Sequence, residues 1–239
     1  MKQHQAVILT LEKFGGQATL AELYQGVMKV KECEWKTKTP FASIRRIVQE
    51  RPEIFKIRPG LWALETHRKM LGLEDHQQET LERRVETHSY YQGVLLSLGS
   101  LKGFQTFVPQ QDKNRSYVNR PLKEIRTLQE IPPYSYDKLV NRSSTVDVIW
   151  FNSRLMPNSF FEVEHSTDIQ NSFLKYLDLQ DFFVRMFIVA DINRRAEFEQ
   201  KRNYKAFEEI AGRVHFLPYD SLIKQYESEV VRTSQELRL

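Results

Sequence analysis

Ser144-Thr145-Val146-Asp147-Val148-Ile149-Trp150-Phe151, a turn near Met156-Pro157-Asn158, then Phe160-Phe161-Glu162-Val163-Glu164: this stretch decides how the chain is read. Both runs are rich in β-branched and aromatic residues, the composition of strands. Asp147 lies mid-run between Val146 and Val148. Side chains two apart on a strand share a face, so Glu162 and Glu164 stand together with Phe161 and Val163 opposite. A hairpin brings Asp147 beside them. Three carboxylates on an apolar sheet repel one another and lose hydration unless a cation joins them. Oxygen-only ligands favour a hard ion, Mg²⁺, with Mn²⁺ as a substitute. The ordinary alternative is a half-exposed strand with its acids in water.

Outward from this hairpin, strands and helices alternate. Upstream, Tyr91, Val94, Leu95 and Leu98 mark a helix that stops at Gly99, and residues 104–109 read as a strand. Residues 110–142 are polar, contain Pro121, Pro132 and Pro133, and read as an insertion or long loop. Lys113, Arg115, Arg120, Lys123 and Arg126 make that segment a candidate recognition element. Downstream come a helix over 169–183, a buried strand Arg185 to Ala190, a charged helix over 194–211, a strand from Val214 to Pro218 and a helix over 220–228. The order α-β-β-β-α-β, then α-β-α, is that of an α/β (α+β) domain with a mixed central sheet flanked by helices.

The N-terminal quarter reads differently. Residues 4–14 carry an apolar stripe and end at Gly15-Gly16, a left-handed cap signal. Thr19 and Glu22 have capping-box spacing ahead of Leu20, Leu23, Tyr24, Val27 and Met28. Thr39-Pro40 opens a third helix, with threonine at the N-cap and proline at the first helical position. Two short strands, residues 55–58 and 61–64, flank Pro59-Gly60. Three helices and a hairpin are the order of a winged helix, whose third helix enters a major groove. Lys38, Thr39, Arg45, Arg46 and Gln49 would then face DNA, with Lys56 and Arg58 on the wing touching its backbone.

Two resemblances follow from these residues. Ala6-Val7-Ile8-Leu9, Ala21-Glu22-Leu23-Tyr24, Lys38-Thr39-Pro40-Phe41-Ala42-Ser43-Ile44-Arg45 and the wing from Phe55 to Leu64 resemble the HARE-HTH winged helix. That resemblance implies DNA binding, extending to modified bases. The stretch from Ser144 to Trp150, together with Phe160 to Thr167, resembles the restriction-endonuclease branch of the PD-(D/E)xK nucleases. The resemblance spans roughly residues 80–228. It implies Asp147 and Glu162 as metal-binding acids, the Val163 carbonyl as a third ligand, and phosphodiester hydrolysis leaving a 5′-phosphate. The motif lysine is absent, because Glu164 stands in its place. Glu164, or Lys175 reaching back from the next helix, would orient or deprotonate the attacking water. Glu86 is the candidate helix-borne acid, Glu82 the second choice, and Gln92 a further polar group. Double-strand cutting implies two active sites and hence a homodimer on double-stranded DNA. The expected organisation is a winged-helix domain over 1–65, a linker and helix start over 66–85, and a nuclease-like domain over 86–239.

Composition agrees with this division. Of 239 residues, 35 are basic and 31 acidic. Residues 1–65 hold 11 basic and 7 acidic side chains, so the whole net charge of +4 lies there. No apolar run approaches the roughly 20 residues of a membrane span. Met1-Lys2-Gln3-His4-Gln5 leads into an amphipathic pattern unlike a signal peptide. With Cys33 the single cysteine, a reducing cytoplasm is the expected setting. His88 reads as helix packing, His165 as a surface or supporting residue, and Cys33 as inert. P-loop, dinucleotide, HExxH and Gly-x-Ser-x-Gly motifs are absent. The alternative function is a DNA-binding regulator with a degenerate nuclease fold.

Overall fold

The computed structural model describes residues 1–73 and 81–236. Two compact units are present: Met1–Glu79 with Ile223–Leu239, and Thr80–Leu222.

The first unit contains α1 (Gln3–Lys13), β1 (Gln17–Thr19), α2 (Leu20–Val27), α3 (Pro40–Glu50), β2 (Ile54–Arg58) and β3 (Leu61–Leu64). Gly15 and Gly16 leave α1 at φ 72° and 87°, and the Gly16 amide returns to the Leu11 carbonyl at 2.9 Å. The Thr19 hydroxyl accepts from the Glu22 amide at 3.1 Å while Glu22 accepts from the Thr19 amide at 2.8 Å. This reciprocal cap contributes about 1 kcal/mol to α2. Thr39 differs from expectation. Its side chain makes no cap bond to α3, although Pro40 sits in the first turn; its hydroxyl lies instead near Thr37 Oγ1. β1 is an addition to the expected elements, being three residues long and without a period of its own. It pairs antiparallel with β3 to give the sheet order β1-β3-β2.

The second unit continues with α4 (Leu81–Leu101), β4 (Gln105–Phe107), β5 (Ser116–Tyr117), β6 (Arg120–Pro121), α5 (Asp137–Ser143), β7 (Val148–Phe151), β8 (Pro157–Glu164), α6 (Ile169–Leu177), β9 (Arg185–Ala190), α7 (Arg195–Arg202), α8 (Glu208–Ala211) and β10 (Val214–Pro218). α9 (Tyr219–Glu236) starts here, and its residues from Ile223 on belong to the first unit. The central sheet has the order β10-β9-β8-β7-β4. β8, β9 and β10 are parallel neighbours, whereas β7 and β4 join antiparallel, so the sheet is mixed. Phe160, Ile169, Phe173, Tyr176, Met186, Phe198 and Phe207 are among the residues of its core. No helix among the described residues is long and apolar enough to cross a membrane.

Several expectations change here. α4 runs through Gly99 to Leu101. The glycine marks a close approach rather than a stop: a Cβ there would lie 2.5 Å from Trp150 Nε1. Residues 110–142 are not a plain loop, since they hold β5, β6 and most of α5. The expected helix over 194–211 is interrupted between α7 and α8. Asp147 does not lie mid-strand. Thr145 and Val146 amides bond back to Arg142 and Ser143 at 3.2 and 2.9 Å, which keeps them in turns, and pairing begins at Val148.

Candidate active site

β8 presents Phe160, Glu162 and Glu164 on one face by strand alternation. Phe160 packs with Ile169, Phe173 and Tyr176 of α6 in the core, so the two acids face α6 as well. Residues 159–164 are all buried, and Glu162 and Glu164 are 4% and 5% exposed. A half-exposed strand with its acids in water is thereby ruled out.

α6 answers these acids with Ser172 and Lys175, three apart and so on one helical side. Lys175 Nζ donates to both Glu162 carboxylate oxygens at 2.8 and 2.7 Å, and to the Thr145 carbonyl at 2.8 Å. The Ser172 and Thr167 hydroxyls each donate to one oxygen of Glu164. Asp168 fixes the start of α6 by accepting from the Gln170 amide at 2.9 Å. Arg194 donates to the Thr167 carbonyl at 2.6 Å and pairs with Glu197.

Asp147 enters from the turn before β7. Its Oδ2 accepts from the Val163 amide at 2.8 Å, and its own amide donates to Glu162 Oε1 at 3.4 Å. Val163 is therefore tied to Asp147 through its N–H. Burial pushes the Asp147 carboxyl up, but His88, Lys175 and the Val163 amide outweigh it and hold it below the ordinary range. Glu162 goes the other way. Burial, then the charge of Asp147, raises it well above the usual carboxylate range despite Lys175. Burial also raises Glu164, against the two hydroxyl bonds.

The helix-borne contribution differs from expectation. Glu86 is exposed; it lies about 200° round α4 from His88, at 100° per residue. The side chain of Glu82 lies outside the described residues. His88 Nε2 instead lies 3.4 Å from Asp147 Oδ2. Burial lowers the imidazole's pKa, yet the charge of Asp147 leaves it raised overall. Gln92, one turn further along α4, donates to Asp112 Oδ2 at 2.9 Å and to the Asp147 carbonyl at 3.2 Å. His88, Asp112 and Asp147 bring ligand atoms within 4.8 Å of one another, a group that could hold a metal ion. The i,i+4 spacing of His88 and Gln92 is a usable signal in the sequence; Asp112, in a polar segment without periodicity, has none. Arg115 pairs with Asp112 at 3.0 Å, and Arg126 is buried and donates to the Val108 carbonyl at 3.0 Å. Neither of these two arginines is thus a loose recognition side chain.

In the first unit, Lys38, Thr39, Arg46, Gln49 and Lys56 are exposed or partly so, and Arg58 is half-buried. Arg45, expected at DNA, is exposed and anchored within the unit. Its guanidinium donates to Tyr24 Oη at 3.3 Å and to Glu227 of α9 at 2.5 Å. The reason is the burial of Glu227, whose carboxylate there needs a cation.

Residues 71–235 match the family model of the type II restriction enzyme NmeDI C-terminal domain. The chain belongs to this family. The NmeDI match takes in α4, the central sheet and every acid of the cluster, while residues 1–70 lie outside it. The type II restriction enzyme NmeDI of Neisseria meningitidis serogroup C is 27% identical over 150 residues, 58% of this chain. The matched part is 42% of that NmeDI protein's length. No solved structure matches the chain.

Proposed function

We propose that this chain is a metal-dependent endodeoxyribonuclease of restriction type, working on double-stranded DNA in the cytoplasm. The observation that carries this reading is the constellation of buried Glu162 and Glu164 with half-buried Asp147, and with Lys175 Nζ 2.7 Å from Glu162. Membership of the NmeDI family supports it. Three carboxylates against one ammonium, presented as oxygen donors in a dry setting, fit a hard divalent ion. Asp147 and Glu162, with the Val163 carbonyl, would hold Mg²⁺. Polarisation of the scissile phosphate is the chemistry such an ion supplies when bound.

The chain's own groups do the rest. Lys175 stands in for the motif lysine: its three N–H groups go to the two Glu162 oxygens and the Thr145 carbonyl, and where a bound cation takes over a Glu162 oxygen the freed N–H would orient the attacking water and balance charge growing on the phosphoryl oxygens. It is favoured over Glu164 because its partner Glu162 is one of the acids that would hold the ion, whereas both Glu164 oxygens accept hydroxyl protons from Ser172 and Thr167. The first unit, read as a winged helix, would grip DNA through Lys38, Thr39, Arg46, Gln49 and Lys56. Two copies would pair to cut both strands.

Cleavage of unmodified and base-modified DNA with Mg²⁺ tests the reading. Asp147→Ala and Glu162→Ala are each expected to abolish cutting while leaving DNA binding intact. Cutting that survives both changes rejects the site. A parent chain that binds DNA but cuts neither kind favours the regulator alternative.

A further inference from the structure

Beside Asp147, α4 and the 110–142 segment assemble a second set of donors. Gln92 is fully buried and Asp112 is 2% exposed. Among the described residues, Gln92 Oε1 finds no hydrogen-bond partner, whereas His88 Nε2 already faces Asp147 Oδ2 at 3.4 Å and Asp112 Oδ1 faces Arg115 at 3.0 Å as charge contacts. Buried polar atoms are almost always paired, so the unpartnered oxygen of the fully buried Gln92, beside His88, Asp112 and Asp147, calls for a further partner. The two Gln92 bonds run from Nε2, to Asp112 and to the Asp147 carbonyl. That arrangement fixes the amide's orientation and leaves Oε1 as an acceptor. An imidazole nitrogen, a carboxylate oxygen and an amide oxygen share one capability, which is to ligate a cation.

We propose that His88, Asp112 and Gln92, with Asp147 as the shared ligand, form a second divalent-cation site distinct from the pair Asp147 and Glu162. Its mixed nitrogen and oxygen donors select a first-row transition ion such as Mn²⁺ over Mg²⁺, because imidazole is a poor ligand for the harder ion. Binding follows from the donor set alone; its use in DNA cleavage rests on the nuclease reading above. There, two adjacent ions sharing one aspartate would clamp the two sides of the scissile phosphate.

The experiment uses the full chain and Mn²⁺, without DNA. Pulsed electron paramagnetic resonance is expected to show ¹⁴N coupling from one coordinated imidazole. His88→Gln should abolish that coupling, whereas His165→Gln and Glu162→Gln should retain it. Asp112→Asn should weaken Mn²⁺ binding at this site at least ~10-fold. If His88→Gln does not fold, ¹⁵N-histidine labelling of the parent reads the same coupling. Bound Mn²⁺ with no nitrogen coupling, or coupling unmoved by His88→Gln, overturns the proposal. A parent that shows His88-dependent coupling yet cuts no DNA supports this site and overturns only the nuclease reading.

Discussion

Lys175 and Glu162 bind each other where neither is easily left alone. Glu162 is almost fully enclosed, so removing the ammonium strands a carboxylate in a medium that penalises its charge. Lys175→Met is therefore expected to cost about 3–5 kcal/mol of stability near neutral pH. The loss should shrink at pH 5, where the stranded carboxyl takes a proton; equal losses at pH 5 and pH 8 in chemical denaturation would contradict the pairing. The same substitution should lower cleavage by ~10²–10⁴-fold if Lys175 orients the water. Glu164→Gln should lower it less, because Glu164 is occupied by Ser172 and Thr167. Asp147, Glu162 and Glu164 are visible in the sequence as a pattern of residue types, and Lys175 is visible as a candidate. The role of His88 is not. A lone histidine beside Tyr90 and Tyr91 looks like packing until the fold sets Asp147 3.4 Å away.

Helix α4 owes its position to a glycine. In a free helix Gly99→Ala stabilises by up to ~1 kcal/mol. Here the new methyl group would meet Trp150 Nε1 at 2.5 Å and Thr106 at 2.7 Å, and overpacking of this kind costs roughly 1–3 kcal/mol. The net sign is destabilising, and thermal unfolding of Gly99→Ala reads it directly; a raised midpoint would refute the close approach. α9 supplies a second case. Burial holds the Glu227 carboxyl above its usual range, against the opposing charge of Arg45. A carboxyl raised in the folded state contributes stability that is complete below its unfolded value of 4.5 and declines as pH climbs through the raised value. Glu227→Gln should flatten that decline in a stability-versus-pH series. Sequence periodicity locates α1, α2, α3, β9 and β10 well. It fails where an end is set by another element, as with the turn before Val148 or the break between α7 and α8.

For the whole molecule, charge and acid cluster divide between the units. The positive excess lies in residues 1–65, and the NmeDI match lies in 71–235. Charge reversal at Lys38, Arg46 and Lys56 should weaken DNA binding across sequences and flatten its salt dependence. Every phosphate left without its cation takes about 0.9 off the slope of log K against log salt; an unchanged slope would place the DNA surface elsewhere. Residue order alone determined the alternation of strands and helices, the pairing of Glu162 with Glu164 on one face, and the basic character of the first unit. These are local properties, carried by periods of two and 3.6 and by counting charges. Only the tertiary structure decided that Lys175 closes on Glu162, that Glu227 captures Arg45, and that His88 and Asp112 meet at Asp147. Those are encounters between segments 13 to 182 positions apart. Burial sets their strength, and burial belongs to the packed chain rather than to any stretch of it.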